Sequence, residues 1–101
     1  MMAINVTMVR IYLTEADAQL KPLLKQLHDE EQVKGVTAFR GIAGFGASGK
    51  LHSSTLVDLS LDLPVVVEFF DTPEKVDKIL QHLSIQIKPG HLVHWSAEVN
   101  A

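Results

Sequence analysis

The chain has 101 residues, of which 47% are hydrophobic and none is cysteine, and its formal net charge is −3 at pH 7. This length and apolar content predict one domain covering 1–101 and exclude a disordered chain. The negative net charge argues against nucleic acid as the main partner, because a surface that binds nucleic-acid phosphates needs clustered lysine and arginine. With no cysteine, and no apolar run near the roughly 18 residues that span a bilayer, we expect a cytoplasmic protein without direct membrane insertion.

The chain begins with a predicted strand and a helix whose start is ambiguous. Residues 4–13 are mostly β-branched or apolar, which indicates a strand buried on both faces. Thr14 with Asp17 resembles a capping box, but a helix that starts there would hold Pro22 in its interior, at a cost of about 3 kcal/mol. We therefore favour a helix over about 21–34 with Pro22 at its first position, preceded by a loop or a preliminary turn.

A leucine stripe and a glycine mark the body and the end of this helix. The leucines recur at spacings of three and four, which gives one apolar face. Gly35 suits the left-handed residue that follows many helices. Val36–Arg40 is predicted as the second strand, and the segment from Arg40 to His52 then holds four of the six glycines. The leucines of the stripe are Leu20, Leu23, Leu24 and Leu27.

The second half of the chain predicts another strand and a clearly bounded helix. Val65–Phe70 forms the regular part of the third strand. Pro64 lacks an N–H and is expected at a strand start, an edge or a bulge. Asp71 or Thr72 caps the second helix, and Pro73 takes its first position.

The order strand, helix, strand, strand, helix, strand predicts an α+β, ferredoxin-like βαββαβ fold, with a four-stranded antiparallel sheet and both helices on one face. Pro89 and Gly90 end the second helix, and in the last strand residues 91, 93, 95, 97 and 99 share one face. Because the first and third strands are apolar on both sides, the face away from the helices also needs cover. We expect other copies of the chain to cover it.

The glycine-rich segment contains the start of a phosphate-binding motif. Gly44–Lys50 spells G-x-x-x-x-G-K, but Leu51 stands where a P-loop needs Ser or Thr for magnesium, and no helical stripe follows. A connection of about a dozen residues is nevertheless long for a hairpin, which suggests a function. Glycine N–H groups can form an anion-binding nest, and Arg40 or Lys50 could neutralise a phosphate. The alternative is a long turn flanked by solvated cations.

Two runs in this region, FRGIAGFGASGKLH and LDLPVVVEFFDTPEKVDKIL, resemble the domain of unknown function 190 family, a PII-like group. The resemblance covers about 35–99, although the segment between Pro22 and Gly35 is about one helical turn shorter than the family pattern. It implies a homotrimer that signals as PII proteins do, binding adenine nucleotides in clefts between subunits. It also implies a flexible loop at about 41–57 that docks on a partner, such as a membrane transporter or channel. The glycine-rich segment that PII proteins carry before the last strand is reduced here to Lys88–His91.

The candidate site residues lie in or next to the glycine-rich loop. A ligand held at the subunit cleft would favour one conformation of the loop by binding it more tightly than another. The candidate contacts to a nucleotide or another anion are Arg40, Gly41, Gly44, Gly46 and Lys50. The candidate contacts to a partner protein are Phe45 and His52.

Two other functions are also compatible with the sequence. One is a trimeric divalent-metal-binding protein similar to the cation tolerance family, in which His91, His52 and a carboxylate from different subunits would meet, because no histidine pair has metal-binding spacing within one chain. The other is an enzyme that uses Glu68 for acid–base chemistry. For Glu68 we favour an ion pair with a cation such as Arg10 or Lys88 of another subunit. Because the spacing of residues in the sequence supports neither a catalytic triad nor a metal site within one chain, we expect a regulatory protein and not an enzyme.

Overall fold

A computed structural model describes residues 2–14, 16–45, 52–53 and 63–101. Its main body consists of a sheet of four longer strands and two helices. The strands are β1 (Ala3–Leu13), β2 (Val36–Arg40), β5 (Val65–Asp71) and β6 (Leu92–Asn100), and the short strands β3 (Ala43–Gly44) and β4 (His52–Ser53) form a separate ribbon. The helices are α1 (Ala16–Lys25), which continues as a π-helical turn over Gln26–Glu30, and α2 (Pro73–Gln86).

The main sheet has the order β2-β5-β1-β6, and all neighbouring strands are antiparallel. This is the predicted ferredoxin-like βαββαβ fold. The hydrophobic core lies between one face of the sheet and the helices, because alternate residues of β1 and β5 point to that side. Val9, Ile11 and Val67 of these strands are fully buried. Each fully buried aliphatic side chain of this kind contributes about 1.5–3 kcal/mol. The helix residues that complete the core are Leu23, Leu27, Val76, Ile79 and Leu83.

The first helix starts earlier than the sequence predicts. A start near Lys21 with Pro22 in the first position is wrong, since the helix begins at Ala16 and holds Pro22 in its interior. The N–H of Thr14 donates to Oε1 of Gln19 at 3.1 Å, which satisfies a backbone donor just before the helix. The earlier start packs the first leucine of the stripe against the core. Burial of the whole stripe therefore outweighs the local cost of an interior proline.

The end of this helix also differs from the prediction. Gly35 is not its left-handed cap, because the residue with positive φ is Gln32, at 56°. The π-helical turn widens the end of the helix, and the N–H of Val33 reaches the carbonyl of Leu27 at 3.0 Å. Lys75 of α2 donates from Nζ to the carbonyl of Gln32 at 2.6 Å. The left-handed residue thus lies three positions before Gly35, and a hydrogen bond joins it to the second helix.

The second helix agrees with the prediction. Pro73 opens it, and Oγ1 of Thr72 accepts a hydrogen bond from the N–H of Lys75 at 3.3 Å. Beyond the end of α2, Gly90 has a φ of 83°, a left-handed conformation that a glycine adopts at little cost. This turn leads the chain directly into β6.

Candidate functional site

The sheet face opposite the helices is open and apolar. By strand alternation and register, β1, β2, β5 and β6 present hydrophobic side chains to it, and the exposed fractions of the large ones lie between 40% and 50%. Contiguous apolar surface of this extent is uncommon on monomeric proteins and marks an interaction surface. We call this surface the open face. Its large exposed side chains are Ile4, Tyr12, Phe39, Phe70, Val93 and Trp95.

An ion pair lies in the middle of the open face. Nη2 of Arg10 is 2.6 Å from Oε1 of Glu68, and Nε donates to the same oxygen at 3.2 Å. The guanidinium carbon also lies 5.5 Å from the ring centroid of Trp95. The hydrogen bond with Glu68, followed by one with Tyr12, raises the pKa of Arg10. Glu68 is thus paired with an arginine of its own chain, which corrects the expectation of a cation from another subunit.

At the base of the glycine-rich loop, two glycines contact a proline. The N–H of Gly41 donates to the carbonyl of Pro64 at 2.6 Å. A Cβ atom on Gly41 would lie 2.8 Å from Cγ of Pro64, and one on Gly44 would lie 3.1 Å from the same atom. We call these three residues the proline clasp. Close packing therefore accounts for both glycines within the described chain.

Three of the other predicted site residues belong to the described chain near this clasp. Arg40 is exposed at the end of β2, and Phe45 is 72% exposed. His52 pairs with Gly44 in the β3–β4 ribbon. The structure therefore brings the base of the loop together at one end of the sheet. Gly46 and Lys50, like most of the loop predicted at 41–57, lie outside the described residues.

A second candidate surface lies at the turn before β6, for which the sequence suggested a reduced phosphate-binding segment, a metal ligand at His91 and an ion-pair partner of Glu68 at Lys88. The N–H of His91 donates to the carbonyl of Lys88 at 3.1 Å, which closes the turn. Beside it is a cavity of about 270 Å³. Lys88, Ser84 and His94 give this cavity polar groups, and its apolar lining is formed by Leu80, Ile87 and Leu92. Sequence reasoning missed Ser84 and His94 as a pair because only the fold places the end of α2 and the start of β6 around one cavity.

The two surfaces lie at the same end of the sheet but at opposite edges. The register aligns Arg40 of β2 with Val65 of β5, and Val65 with Leu13 of β1. One residue earlier in β1, the N–H of Tyr12 donates to the carbonyl of His91 at 2.8 Å. The sheet order puts three interstrand spacings between β2 and β6, or about 14 Å. The base of the loop and the turn are therefore separated by the width of the sheet within one chain.

Comparison with known proteins gives the family. The family model DUF190, described as "Uncharacterized ACR", matches residues 6–99. The chain belongs to the DUF190 family. A UPF0166 protein of Aquifex aeolicus is 33% identical over 87 residues, which cover 82% of this chain and 83% of that protein. The resemblance drawn from the two sequence runs is thereby confirmed.

Solved structures share the fold of this DUF190 protein. CPII of Thiomonas intermedia K12, a nitrogen regulatory PII-like protein bound to ADP, AMP and bicarbonate, has a TM-score of 0.70 at 20% identity and covers 99% of this chain and 92% of its own. CutA1 of Oryza sativa has a TM-score of 0.62 at 13% identity, with coverages of 97% and 83%. At these identities the likeness establishes a PII-like, ferredoxin-like fold and nothing finer.

Two features are absent from the described part of this DUF190 chain. Among the described residues, no three histidine, cysteine, aspartate or glutamate side chains come together as a metal-binding group. In the same part of the chain, no helix is both long and apolar enough to cross a membrane. The cross-subunit metal site, the partner protein and the cytoplasmic location stay predictions.

Proposed function

We propose that this DUF190 protein is a PII-like regulatory protein and not an enzyme. It binds a small anionic ligand, an adenine nucleotide, in clefts between the subunits of a homotrimer. It controls a partner, such as a membrane transporter or channel, through the loop at about 41–57. The observation that carries this proposal is the position of the loop base and the Lys88–His91 turn at one end of the sheet but at opposite edges.

The open face supports assembly from copies of the chain. Its aromatic and aliphatic side chains are half-exposed in the single subunit, and their burial in an assembly is favourable. The strand edges β2 and β6 are different surfaces, so contact between them is head-to-tail, and such contacts close into a ring when the rotation allows. Three copies that turn their open faces inward bring the β2 edge of each subunit next to the β6 edge of its neighbour.

The composite cleft has groups suited to a nucleotide. Arg40 of one subunit and Lys88 of the next supply cations for phosphate oxygens. The cavity beside the turn has an apolar lining of Leu80, Ile87 and Leu92 against which a flat base can pack. The PII-like CPII, with ADP and AMP bound, supports an adenine nucleotide as the first ligand to test.

Isothermal titration of the assembled protein with ATP, ADP, AMP and cyclic AMP tests this function. At protein concentrations of about 100 µM we expect heat with at least one of them, since weak micromolar binding is measurable there. Lys88→Ala and Arg40→Ala should each weaken that binding about tenfold by removing a charged phosphate contact. Lys34→Ala is the matched control, because it removes the same charge at the opposite end of β2. No heat with any of these nucleotides would overturn the nucleotide proposal.

A further inference from the structure

The proline clasp has a geometry that constrains the base of the loop. Pro64 lies between Leu63 and Val65, which are 8% and 2% exposed, so its backbone is anchored on both sides in the core. Val65 is also paired in the sheet with both neighbouring strands. The ring of Pro64 fixes its own φ. Pro64 therefore cannot move without disturbing the start of β5.

The positions of Gly41 and Gly44 favour glycine because a side chain would collide with Pro64, and not because the backbone conformation needs glycine. Neither Gly41 nor Gly44 has positive φ, so an alanine could adopt either backbone. A Cβ on Gly41, however, would lie 2.8 Å from Cγ of Pro64, closer than real Cβ atoms approach a neighbour. At Gly44 the separation of 3.1 Å is tight but less severe. Gly35 has no atom within 4 Å of the same position and offers a control.

We propose that Pro64 is a positioning residue that sets the direction in which the loop base leaves the sheet, with Gly41 and Gly44 forming the notch that receives its ring. The hydrogen bond from Gly41 to the Pro64 carbonyl holds the first residue after β2 against this fixed point. The β3–β4 ribbon follows two residues later, so the contact at Gly44 extends the constraint to the ribbon. A regulatory reading of this constraint rests on the proposed function, but the positioning itself does not.

Amide hydrogen exchange at residue 41 tests the clasp without any ligand. We expect Gly41→Ala to lower the protection factor of this amide by about tenfold or more, because the added Cβ separates it from the Pro64 carbonyl. Gly44→Ala should have a smaller effect in the same direction, and Gly35→Ala should leave the protection factor within about twofold of its starting value. Circular dichroism checks that each variant is folded.

Substitution of the proline itself gives a second test. Pro64→Ala removes Cγ, so the double variant Gly41→Ala with Pro64→Ala should regain most of the protection that Gly41→Ala loses. Equal protection in Gly41→Ala and Gly35→Ala, or no recovery in the double variant, would overturn the proposal. If Gly41→Ala does not fold, the comparison of Gly44→Ala with Gly35→Ala decides in the same way. Since no nucleotide is present, failure of nucleotide binding leaves this test intact.

Discussion

Arg10 and Glu68 face each other across β1 and β5, with Nη2 2.6 Å from Oε1, in the centre of the mostly apolar open face. In the single chain this pair is partly exposed to solvent. In the proposed trimer, copies of the chain would cover it. The paired charges would then tolerate burial only while both partners are present, because a buried charge that loses its partner is strongly destabilising.

Glu68→Gln should therefore weaken the assembly. The substitution keeps the shape of the side chain and removes its charge, so we expect dissociation about tenfold more readily than in the unmodified protein. Sedimentation equilibrium over a dilution series measures this change. Glu30→Gln, which removes an exposed carboxylate beyond α1, is the control. Equal dissociation of the two variants would mean that the ion pair lies outside the interface.

Phe70→Asp should prevent assembly altogether. Phe70 is 44% exposed on the open face, and a carboxylate there would be buried without a partner by a covering copy. We expect a folded monomer at micromolar concentration by sedimentation velocity. Ile85→Asp is the matched control, because Ile85 is 86% exposed on α2, away from this face. An assembly that survives Phe70→Asp contradicts the proposed interface.

Pro22→Ala should stabilise the protein. A proline in a helix interior destabilises the folded protein by about 3 kcal/mol. Alanine has more conformational freedom than proline in the unfolded chain, which reduces the gain by up to about 1 kcal/mol, so the free energy of unfolding should rise by about 2 kcal/mol. Urea denaturation measures it. Pro89→Ala, in the turn before β6, should have the opposite sign. No gain from Pro22→Ala would support a helix that starts at Pro22, as the sequence alone suggests.

Leu27→Ala should be among the more damaging core substitutions. Leu27 is fully buried, and truncation to alanine leaves a cavity as well as removing apolar contacts, so we expect a loss of about 2–5 kcal/mol in the free energy of unfolding. Leu24→Ala is the control, since Leu24 only borders the core cluster. Chemical denaturation should give a clearly smaller loss for Leu24→Ala. Similar losses for both would contradict the described face of the helix.

The sequence predicted those features that depend on local pattern. The order of strands and helices, the leucine stripe and a helix cap at Asp71 or Thr72 follow from residue spacing and from single residues with known preferences. The first helix start could not be predicted in this way. The local penalty of Pro22 is visible in the sequence, whereas the burial that outweighs it appears only when the stripe packs on the sheet.

The sequence did not predict the contacts at the candidate site between residues that are distant along the chain. Arg10 was considered as a partner of Glu68, but residues 58 positions apart meet within one chain only through the register of β1 and β5. The glycines at 41 and 44 suggested an anion-binding nest, and their contact with Pro64 requires the path of the chain after β2. The cavity at Lys88 likewise depends on how α2 lies against β6.

β6, one of the two edge strands of the main sheet, affects how the newly synthesised chain behaves before assembly. β6 is nine residues long, and within the described chain its outer backbone groups pair with no further strand. Such a margin is a template for uncontrolled strand addition, which proteins usually suppress by covering it. Closure into a ring would cover this edge, so a subunit that assembles too slowly with other subunits would be prone to aggregation. Oligomer formation would then protect solubility as well as create the ligand clefts.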